Sequence, residues 1–544
     1  MKTLVIAEKP SVARDIARVL GCAKKENGAL EGNQYIVTWA LGHLVTLKDP
    51  EDYDKKYKEW NMAVLPMMPE KLQIKVIPQT GKQYHAVTTQ LARKDVGEVV
   101  IATDAGREGE LVARWILDKA HNQKPCKRLW ISSVTDKAIR EGFASLKDAK
   151  EYDNLYRAAV SRAEADWLVG INATRALTCK YNAQLSCGRV QTPTLAMIAQ
   201  REQEIREFVP KPYYTVTAAA GGAVYTWKDE KSGGTRISDP EKAKQIAEKA
   251  KRYPLVLQKV EKKKKQKEAP LLYDLTELQR DASARFGYSA KQTLNLMQSL
   301  YETHKVLTYP RTDSRYLTKD IVPTLKERLD AVSIGPYKTL AQQAKRRPLK
   351  EKPGFVNDAK VSDHHAIIPT EQYVQLSALS NEERRIYDLV VRRFLAVLLP
   401  PCVYEETVIQ ASIEKECFTA RGKRMVEKGW QEAYEDNRYD DEDEAKEEVR
   451  EQNLPLLQAG MKFDQSKISL REGKTKPPAR FTEGTLLSAM ENPVRYMENR
   501  DSSLVKTIGE AGGLGTVATR ADIIEKLFRS FLLEKKGNEI YLTS

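Results

Sequence analysis

The pattern of apolar and polar positions begins with a unit that alternates strand and helix. Residues 3–7 (TLVIA) form a short apolar run typical of a buried strand, and residues 12–20 (VARDIARVL) repeat apolar side chains with a helical period. The same order returns at 98–102 (EVVIA) and 111–120 (LVARWILDKA), and 127–134 (KRLWISSV) predicts another strand. This order favours an α/β region with a largely parallel sheet, in which functional groups are expected at the carboxyl ends of the strands.

The rest of the chain changes pattern several times. A basic, helix-rich stretch is followed by short β runs, by helix, and by β runs again, at 148–205, 211–269, 276–302, 403–420 and 461–470. The polar, glycine-containing segment 184–194 (QLSCGRVQTPT) interrupts the first stretch and predicts a binding loop. The economical interpretation is a helical unit inserted into a β domain whose halves lie on either side of it.

Two charged runs indicate solvent-exposed segments and no specific chemistry. The acidic run at 439–448 (YDDEDEAKEE) is typical of a solvated loop. The lysine-rich run at 262–267 is interpreted as a solvated surface segment that adds nonspecific affinity for nucleic acid at most.

Length, charge and cysteine content narrow the class of protein. The 544 residues have room for about three or four domains of roughly 150 residues each. The net charge of +14 favours a polyanionic partner such as nucleic acid. The six cysteines form no CxxC pair, so we expect neither a zinc ribbon nor a disulfide framework, and a reducing cytoplasm fits best. No run approaches the ~20 apolar residues that span a bilayer, so we expect neither secretion nor membrane insertion.

One tyrosine, Tyr309, has neighbours that suit a nucleophile. In the run LTYPRTDSRYL it stands two residues before Arg311. A phenol is a poor nucleophile at its free pKa near ~10, so attack on a phosphate requires cationic or metal neighbours. The proline after Tyr309 disfavours helix there, which places the phenol in a loop or at a helix end, and Asp313 and Ser314 suit a helix N-cap. Taken alone, a surface turn residue is the more economical interpretation of Tyr309.

A set of carboxylates after two similar strands decides between these interpretations. Glu8 follows the first strand, and Asp104 and Glu108 follow the strand at 98–102. A parallel sheet would bring these side chains to one edge, and oxygen ligands of this kind suit Mg²⁺. Each carboxylate alone could equally cap a helix. Lys9 and Arg107 would balance the cluster or hold a phosphate.

The sequence gives no support for ATP binding. A phosphate-binding loop of the form GxxxxGK[ST] is absent, because the GKT at 473–475 has Ile468 where the upstream glycine would stand.

Motifs along nearly the whole chain resemble those of type IA DNA topoisomerases. They are AEKPS at Ala7, ALGHL at Ala40, TDAGREGE at Thr103, DWLVGINATRALT at Asp166, SCGRVQTPT at Ser186, LTYPRTDS at Leu307, DHHAIIPT at Asp363, FTEGTLLSAME at Phe481 and GLGTVATRADII at Gly513. The acidic motif alone would indicate only a Toprim fold, which primases and some nucleases share. The tyrosine motif selects the topoisomerase interpretation.

The resemblance implies a reaction and assigns roles in it. Tyr309 would attack one DNA strand and become joined to the 5′ phosphate, and religation would reverse the step without ATP. Arg311 would hold the scissile phosphate, Lys9 would assist the leaving oxygen, and Glu8 would bind metal or exchange a proton with that oxygen. His364 matches the family histidine, although its neighbour His365 leaves the match open by one position. Relaxation of negative supercoils and decatenation would follow.

The acidic motif departs from the family pattern at one position. The family commonly has DxDxE, whereas Gly106 replaces the middle acid here. The resemblance therefore implies one main Mg²⁺ site at Glu8 and Asp104, with Glu108 bound directly or through water and Glu110 as the fallback ligand.

DNA contacts are expected at basic, aromatic and polar positions of the matched motifs. Trp60 and Trp167 would stack on unpaired bases, each contact worth roughly 1–3 kcal/mol. The other expected contacts are Arg162, Arg175, Ser186, Cys187, Gly188, Arg189, Val190, Gln191, Thr192, Arg311, Asp313 and Ser314. Single-stranded DNA, or DNA with single-stranded regions, is the expected partner, and a helicase is a further candidate.

The resemblance also implies a torus of four domains. These are a Toprim (Rossmann-like) α/β domain at 1–150, a helical domain split between 151–210 and 471–544, a β-rich arch split between 211–274 and 402–470, and an inserted helical domain at 275–401 that carries Tyr309. The expected location is cytoplasmic and nucleoid-associated. Because relatives usually continue past the last strand-like run, we interpret the chain as a shortened one.

A nuclease or primase with the Toprim fold is the rival enzyme, and it would cleave without a covalent intermediate. A single-strand DNA scaffold with a vestigial site is the rival without catalysis, and it would bind DNA without changing its linking number.

Overall fold

The structure is a computed structural model that describes residues 1–349, 353–434 and 449–543. The acidic run at 439–448 therefore lies outside the described residues. Among the described residues, none of the helices has both the length and the apolar character needed to span a bilayer.

A seven-stranded sheet organises the first 150 residues. Its strands, together with a separate two-stranded ribbon of β5 and β6, are β1 (Lys2–Ala7), β2 (Lys24–Glu26), β3 (Ala29–Glu31), β4 (Tyr35–Trp39), β5 (Val45–Leu47), β6 (Ile74–Val76), β7 (Val96–Ala102), β8 (Cys126–Arg128) and β9 (Lys147–Asp148). The helices are α1 (Pro10–Leu20), α2 (Gly81–Leu91), α3 (Arg107–Lys119) and α4 (Asp136–Ala144). The strand order is β2-β3-β4-β1-β7-β8-β9, and β1 pairs in parallel with both β4 and β7.

The sheet is buried on both faces, which explains why its central strands are continuously apolar. Leu4 and Ile6 of β1 belong to one hydrophobic cluster, and Val5 and Ala7 belong to another on the opposite face. The strand predicted at 127–134 ends at Arg128, and the residues after it form an extended segment that contacts the inserted unit.

Helices and a second sheet form the remainder. In chain order the elements are α5 (Asp153–Tyr181), α6 (Gln191–Glu207), β10 (Pro212–Ala220), β11 (Ala223–Trp227), α7 (Pro240–Arg252), β12 (Leu255–Lys267), α8 (Leu275–Phe286), α9 (Ala290–Glu302), α10 (Leu325–Val332), α11 (Lys338–Arg346), α12 (Asn381–Leu398), β13 (Cys402–Ile413), β14 (Glu416–Glu427), β15 (Lys462–Phe463), β16 (Lys467–Lys474), α13 (Glu483–Glu491), α14 (Ser502–Glu510), α15 (Arg520–Arg529), β17 (Leu533–Lys536) and β18 (Glu539–Leu542). Short 3₁₀ turns join several of them.

Two features of this region differ from the sequence-based expectation. Helix α7 lies where only β runs were predicted, and its alanine and isoleucine face packs on the second sheet. The run at 276–302 is two helices, because the chain takes a left-handed conformation at Gly287 (φ 67°) between them.

The second sheet draws strands from both sides of the helical insertion. Its order is β15-β12-β13-β14-β11-β10-β16. The lysine-rich run is largely exposed, as predicted for a solvated surface segment, and it also forms part of β12, since Lys263 and Lys264 lie opposite Glu406 and Glu405 of β13. Lys267, the last residue of β12, pairs with Cys402, the first residue of β13. The chain therefore leaves the sheet for the insertion and returns to it at the same place.

The insertion has its own core, and the C-terminal elements share another with α6. Residues of α8 to α12 and the neighbouring loops form the largest hydrophobic cluster. A separate cluster joins α6, α9, α13, α15 and the β17–β18 hairpin. The loop with Tyr309 packs instead against the first sheet, because Tyr301 and Tyr309 belong to the cluster that contains Val5 and Ala7.

Candidate active site and nucleic-acid cleft

Two adjacent parallel strands place Glu8 and Asp104 side by side. Ala7, the last residue of β1, lies opposite Ala102, the last residue of β7. The residues that follow the two strands therefore lie at the same edge of the sheet. The backbone N–H of Asp104 donates a hydrogen bond of 2.9 Å to Glu8 Oε2. The sequence-based expectation for these two carboxylates therefore agrees with the geometry.

Tyr309 reaches the same edge from the inserted unit. Its backbone N–H donates to the Ser132 carbonyl at 2.8 Å, which ties the loop to the segment after β8. Its ring packs edge-on to Tyr301 and lies 4.4 Å, between ring centroids, from His364. Only 6% of Tyr309 is exposed. It is thus not a surface turn residue, and the helix expected to be capped by Asp313 or Ser314 does not form, since the next helical turn begins at Lys319.

Arg311 and Lys9 are the cations whose charges act on both members of this acidic pair. Arg311 Nη1 lies 3.8 Å from Asp104 Oδ2. Burial raises the pKa of Tyr309 well above its ordinary value, and the negative charge of Asp104 adds to that rise, whereas Arg311 opposes it. The phenol is therefore neutral in this closed arrangement.

The fold disfavours the charged form of both carboxyl groups, Glu8 and Asp104. Burial, with the charge of Asp104, raises the pKa of Glu8 to about 7. Burial likewise raises the pKa of Asp104. The Asp104 Oδ2 atom is buried without a hydrogen-bond partner. A cation between two such oxygens would relieve both effects, so the residues present fit a divalent metal ion.

Glu108 and Glu110 do not join this pair. Glu108 Oε2 lies 3.2 Å from His43 Nε2, and Glu108 Oε1 accepts a 2.9 Å hydrogen bond from Arg162 Nη2. The hydrogen bond with His43 lowers the pKa of Glu108. Glu110 is fully buried and forms ion pairs with Arg128 and with Arg114. Over the residues that the structure describes, no group of three or more metal-binding side chains is assembled.

Glu110 is therefore not available as the fallback ligand, because Arg128 and Arg114 neutralise its buried carboxylate. Glu108 lies beside the cavity but is engaged by His43 and Arg162.

A glycine explains how the acidic motif can turn so tightly. A Cβ atom on Gly109 would lie 1.7 Å from the Asp104 carbonyl oxygen, so the start of α3 can fold back on Asp104 only without a side chain. Gly106 is different, since a Cβ atom there would meet open space.

The two adjacent histidines, between which the sequence leaves the family match open, have different surroundings. His364 stands against Tyr309, bonds through Nδ1 to the Ser132 hydroxyl at 2.8 Å and contacts the Ala105 carbonyl through Nε2. His365 instead bonds to the Ala366 carbonyl. Burial lowers the pKa of His364 to about 3 and that of His365 to about 4, so both rings are neutral at physiological pH.

Lys9 is held by a residue of the inserted unit. Its Nζ atom lies 2.6 Å from Glu302 Oε1, at the end of α9. This contact crosses from the first domain to the helix that precedes the Tyr309 loop.

A large cleft runs beside this site. Its volume is about 1260 Å³, and the predicted contacts that line it are Trp60, Arg162, Arg175, Ser186, Cys187, Gly188, Arg189, Val190 and Gln191. A smaller cavity of about 520 Å³ contains Glu8, Asp104, Tyr309, Arg311, Asp313 and His364. The linings of the two spaces both include Arg107 and Arg162, so the cavity with Tyr309 adjoins the cleft.

Several predicted contacts have other roles. Trp167 is only 7% exposed, and its indole N–H donates to the Lys48 carbonyl, so it is a core residue. Trp60 is 49% exposed, as stacking on a base requires. Arg175 is buried beneath the Trp60 ring and donates to the Tyr57 carbonyl, so it supports Trp60 more than it reaches the solvent.

Two further predicted contacts are also structural. Ser314 is buried and donates to the Lys360 carbonyl. Thr192 accepts a hydrogen bond from the Gly188 N–H and so shapes the loop of the cleft.

The sequence did not predict one segment that lines the site, the loop before α15. The loop before α15 contributes Gly515, Thr516 and Thr519 to both cavities. The signal was present in the motif GLGTVATR, whose glycines Gly513 and Gly515 have φ values of 87° and 70°. His43 was likewise unassigned, although it stands in ALGHL.

Comparisons with known proteins agree with these features. A family profile described as "DNA topoisomerase" matches residues 150–544, and one described as "Toprim domain" matches residues 3–134. The proteins named DNA topoisomerase 3 of Bacillus subtilis (strain 168) and of Bacillus licheniformis are each 60% identical over 543 residues, which is 100% of this chain and 74% of the relative. Full-length topoisomerase I from Thermotoga maritima has a similar fold, with a TM-score of 0.72 and 22% identity over 99% of this chain and 80% of that one.

Proposed function

Because this chain belongs to the type IA DNA topoisomerase family, whose members pass DNA through a single-strand break without ATP, we propose that Tyr309 is its nucleophile. The supporting observation is that one cavity contains Tyr309, Glu8, Asp104 and Arg311, although they come from two separate units of the chain. No other described tyrosine shares a cavity with the acidic pair.

In the cleavage step, one phosphodiester bond is exchanged for another. The Tyr309 oxygen bonds to phosphorus, the bond from phosphorus to the 3′ oxygen breaks, and the phenol proton leaves as the 3′ oxygen gains one. Glu8 either binds the metal ion or exchanges a proton with the 3′ oxygen, and its pKa of about 7 without a bound ion suits the second role near neutral pH. Arg311 holds the phosphate and stabilises the charge that develops on it. Religation is the reverse of these steps.

Two further residues support the nucleophile and the phosphate. His364 is neutral and positions the Tyr309 ring through packing and through its bonds to Ser132 and Ala105. Lys9 is released from Glu302 toward the phosphate when DNA enters.

Glu8 and Asp104 would hold the one main Mg²⁺ ion, with Glu108 contributing through water. The bound ion supplies positive charge that stabilises the phosphate oxygens. The buried, unpartnered Oδ2 of Asp104 supports this assignment.

The cleft beside the site would hold single-stranded DNA, or a single-stranded region of the kind that a helicase exposes. Trp60 would stack on a base, and Arg162 and Arg189 would exchange their carboxylate partners Glu108 and Asp166 for phosphates. The cytoplasm is the proposed location.

Strand passage would follow from movement of the inserted unit, 275–401, away from the Toprim unit, 1–150. We divide the rest into a split helical unit (151–210 and 471–544) and a split β arch (211–274 and 402–470). The second sheet takes strands from both parts of the arch, and its strand β16 continues past the boundary at 470 to Lys474.

Covalent trapping tests the proposal. Supercoiled plasmid is incubated with the protein, denatured with detergent, and assayed for protein joined to DNA and for linking number, with Mg²⁺ present or chelated. Tyr309→Phe is expected to abolish both the adduct and the change in linking number. Tyr316→Phe, in the same loop but outside the cavity lining, is the matched control and should keep both activities.

The rival functions give different results. Cleavage without an adduct would indicate a Toprim nuclease, and DNA binding without any change in linking number would indicate a scaffold.

A further inference from the structure

A second cationic cavity lies on the inserted unit, away from the cleft. It has a volume of about 700 Å³ and opens between the end of α8, the turn Gly335–Tyr337 and the first turns of α12. Three arginines line it: Arg285, Arg384 and Arg385. The mechanism above uses none of these residues.

The positive charge of this cavity is not neutralised. Within the described residues, none of the three arginines has a carboxylate oxygen within 4 Å. Arg384 Nη2 donates to the Leu376 carbonyl at 2.7 Å, and Arg385 Nη1 to the Tyr288 hydroxyl at 3.2 Å, which are both neutral acceptors. The acid in the lining, Asp388, is already engaged by Tyr337 and Arg392.

Aromatic side chains stand beside the arginines. The guanidinium of Arg385 lies 5.5 Å from the centre of the Phe286 ring, which is partly exposed, whereas Tyr337 is buried in the wall of the cavity and donates to Asp388. Guanidinium groups match the geometry of phosphate oxygens, and aromatic rings stack on bases. A ligand that is both anionic and planar therefore fits the cavity better than one that is only acidic.

The position of the cavity relative to Tyr309 follows from α8. The N–H of Leu275, at the start of α8, donates to the Thr312 carbonyl at 3.1 Å, three residues beyond Tyr309. The helix runs from there to Phe286, a rise of about 17 Å over its length. A stacked strand covers that distance in roughly five nucleotides.

We propose that this arginine cavity holds a second segment of the single-stranded substrate, on the side of the break that stays joined to Tyr309. The inference rests on the proposed function, since Tyr309 must carry the 5′ phosphate. The cavity and Tyr309 both belong to the inserted unit, so they would move together when that unit opens. The cavity would then keep the attached strand aligned for religation.

Binding of oligonucleotides of different reach tests this. Three are compared by fluorescence anisotropy: one that covers only the cleft, one extended on the 3′ side of the scissile phosphate by about ten nucleotides, and one extended equally on the 5′ side. The protein should prefer the 3′-extended oligonucleotide over the 5′-extended one. The double variant Arg285→Ala/Arg385→Ala should lose that preference, and its salt slope for the 3′-extended strand should fall by about 1.4, the value for two phosphate contacts.

The control is Arg280→Ala, which removes one positive charge from the same helix. Arg280 is exposed and pairs with Glu277, so the 3′ preference should persist. The single variant Arg285→Gln, at the end of α8, is used if the double variant melts at a lower temperature than the parent.

Two results would overturn the inference. One is a 3′ preference and a salt slope that are the same in the parent protein and in the double variant Arg285→Ala/Arg385→Ala. The other is loss of binding to a synthetic Glu/Tyr peptide in the variants while the DNA preference is kept, which would assign the cavity to an acidic protein partner. Adduct formation is measured in the same samples: its absence from the parent protein contradicts the proposed function, whereas its presence isolates a failure to the cavity.

Discussion

Glu8 and Asp104 are ionisable groups that the fold keeps close together and largely buried. A carboxyl whose pKa is higher in the folded chain than in the unfolded chain favours folding while it is protonated. The stabilisation from Glu8 is therefore complete below its ordinary pKa of 4.5 and is lost as the pH rises toward about 7. The loss is on the order of 3 kcal/mol.

This predicts how stability and metal binding depend on pH. Without Mg²⁺, the melting temperature should fall between about pH 5 and pH 8, and Asp104→Asn should reduce that fall because it removes the repulsion. Added Mg²⁺ should raise the melting temperature at pH 8 and have little effect at pH 5, where protons occupy the carboxylates. Differential scanning fluorimetry at both pH values measures this, and an equal Mg²⁺ effect at both would contradict it.

Substitutions at the two glycines of the acidic motif, Gly106 and Gly109, should have different effects on stability. Gly106→Asp places its side chain in open space, so the fold should keep its stability to within about 0.5 kcal/mol, and the additional carboxylate should strengthen Mg²⁺ binding. Gly109→Ala puts a methyl group against the Asp104 carbonyl and should cost about 1–3 kcal/mol or more. Chemical denaturation and isothermal titration with Mg²⁺ measure the two effects. Equal stability of the two variants would show that the turn is not limited by this contact.

At the scale of the residue, the sequence predicted the ends of strands better than the partners of side chains. Glu8 and Asp104 follow adjacent parallel strands, and strand adjacency was enough to bring them together. The fates of Glu108 and Trp167 depend on His43, Arg162 and Lys48, which are distant in the chain. Local pattern carries no information on such contacts.

At the scale of the element, the loop from β5 to β6 presents one tryptophan and helix α5 buries another. Trp60→Ala should weaken binding of single-stranded DNA by about 1–3 kcal/mol and leave the melting temperature unchanged. Trp167→Ala should instead destabilise the fold by about 3–5 kcal/mol, because it leaves a cavity between α5 and the loop. Each variant is the control for the other, measured by anisotropy and by thermal melting. A stable Trp167→Ala variant with weakened DNA binding would reverse the assignment.

Element prediction failed where tertiary pairing overrode local composition. Four lysines in a row disfavour a strand, yet Lys262 to Lys265 extend β12, because β13 offers Glu405 and Glu406 opposite them. Helix α7 was missed because charged residues dominate it, and its narrow apolar face becomes evident only when it packs on the second sheet.

At the scale of the whole molecule, polar contacts hold the inserted unit closed against the first domain. Lys305 lies 2.8 Å from Asp15, and Lys137 lies 2.6 Å from Glu327, both away from the acidic pair. The Lys137–Glu327 pair is exposed and the Lys305–Asp15 pair is partly buried, and surface ion pairs contribute about 0.2–1 kcal/mol each. Asp15→Asn with Glu327→Gln should therefore raise the open fraction several-fold, as measured by energy transfer between dyes on the two units. Glu241→Gln, which breaks a pair within α7, is the control, and an unchanged open fraction would mean that buried contacts alone close the interface.

The family and the α/β, helical and β classes were predicted from motifs and are confirmed by the comparisons. The side-chain contacts between the units were not predicted, because each depends on residues that are far apart in the chain, such as Ser132 with His364.

The pairing of Lys267 with Cys402 has a mechanical consequence. Both ends of the insertion leave the sheet where the two strands lie about 5 Å apart, so its two covalent connections act as one hinge once its packing contacts with the other units are released. A body attached in this way turns more readily than it slides, and its displacement grows with distance from the pivot. A small change of backbone angle after Lys267 and before Cys402 is thereby amplified into a wide opening at the far end. Stiffening those two short connections would restrict the motion more than any change inside the rigid unit.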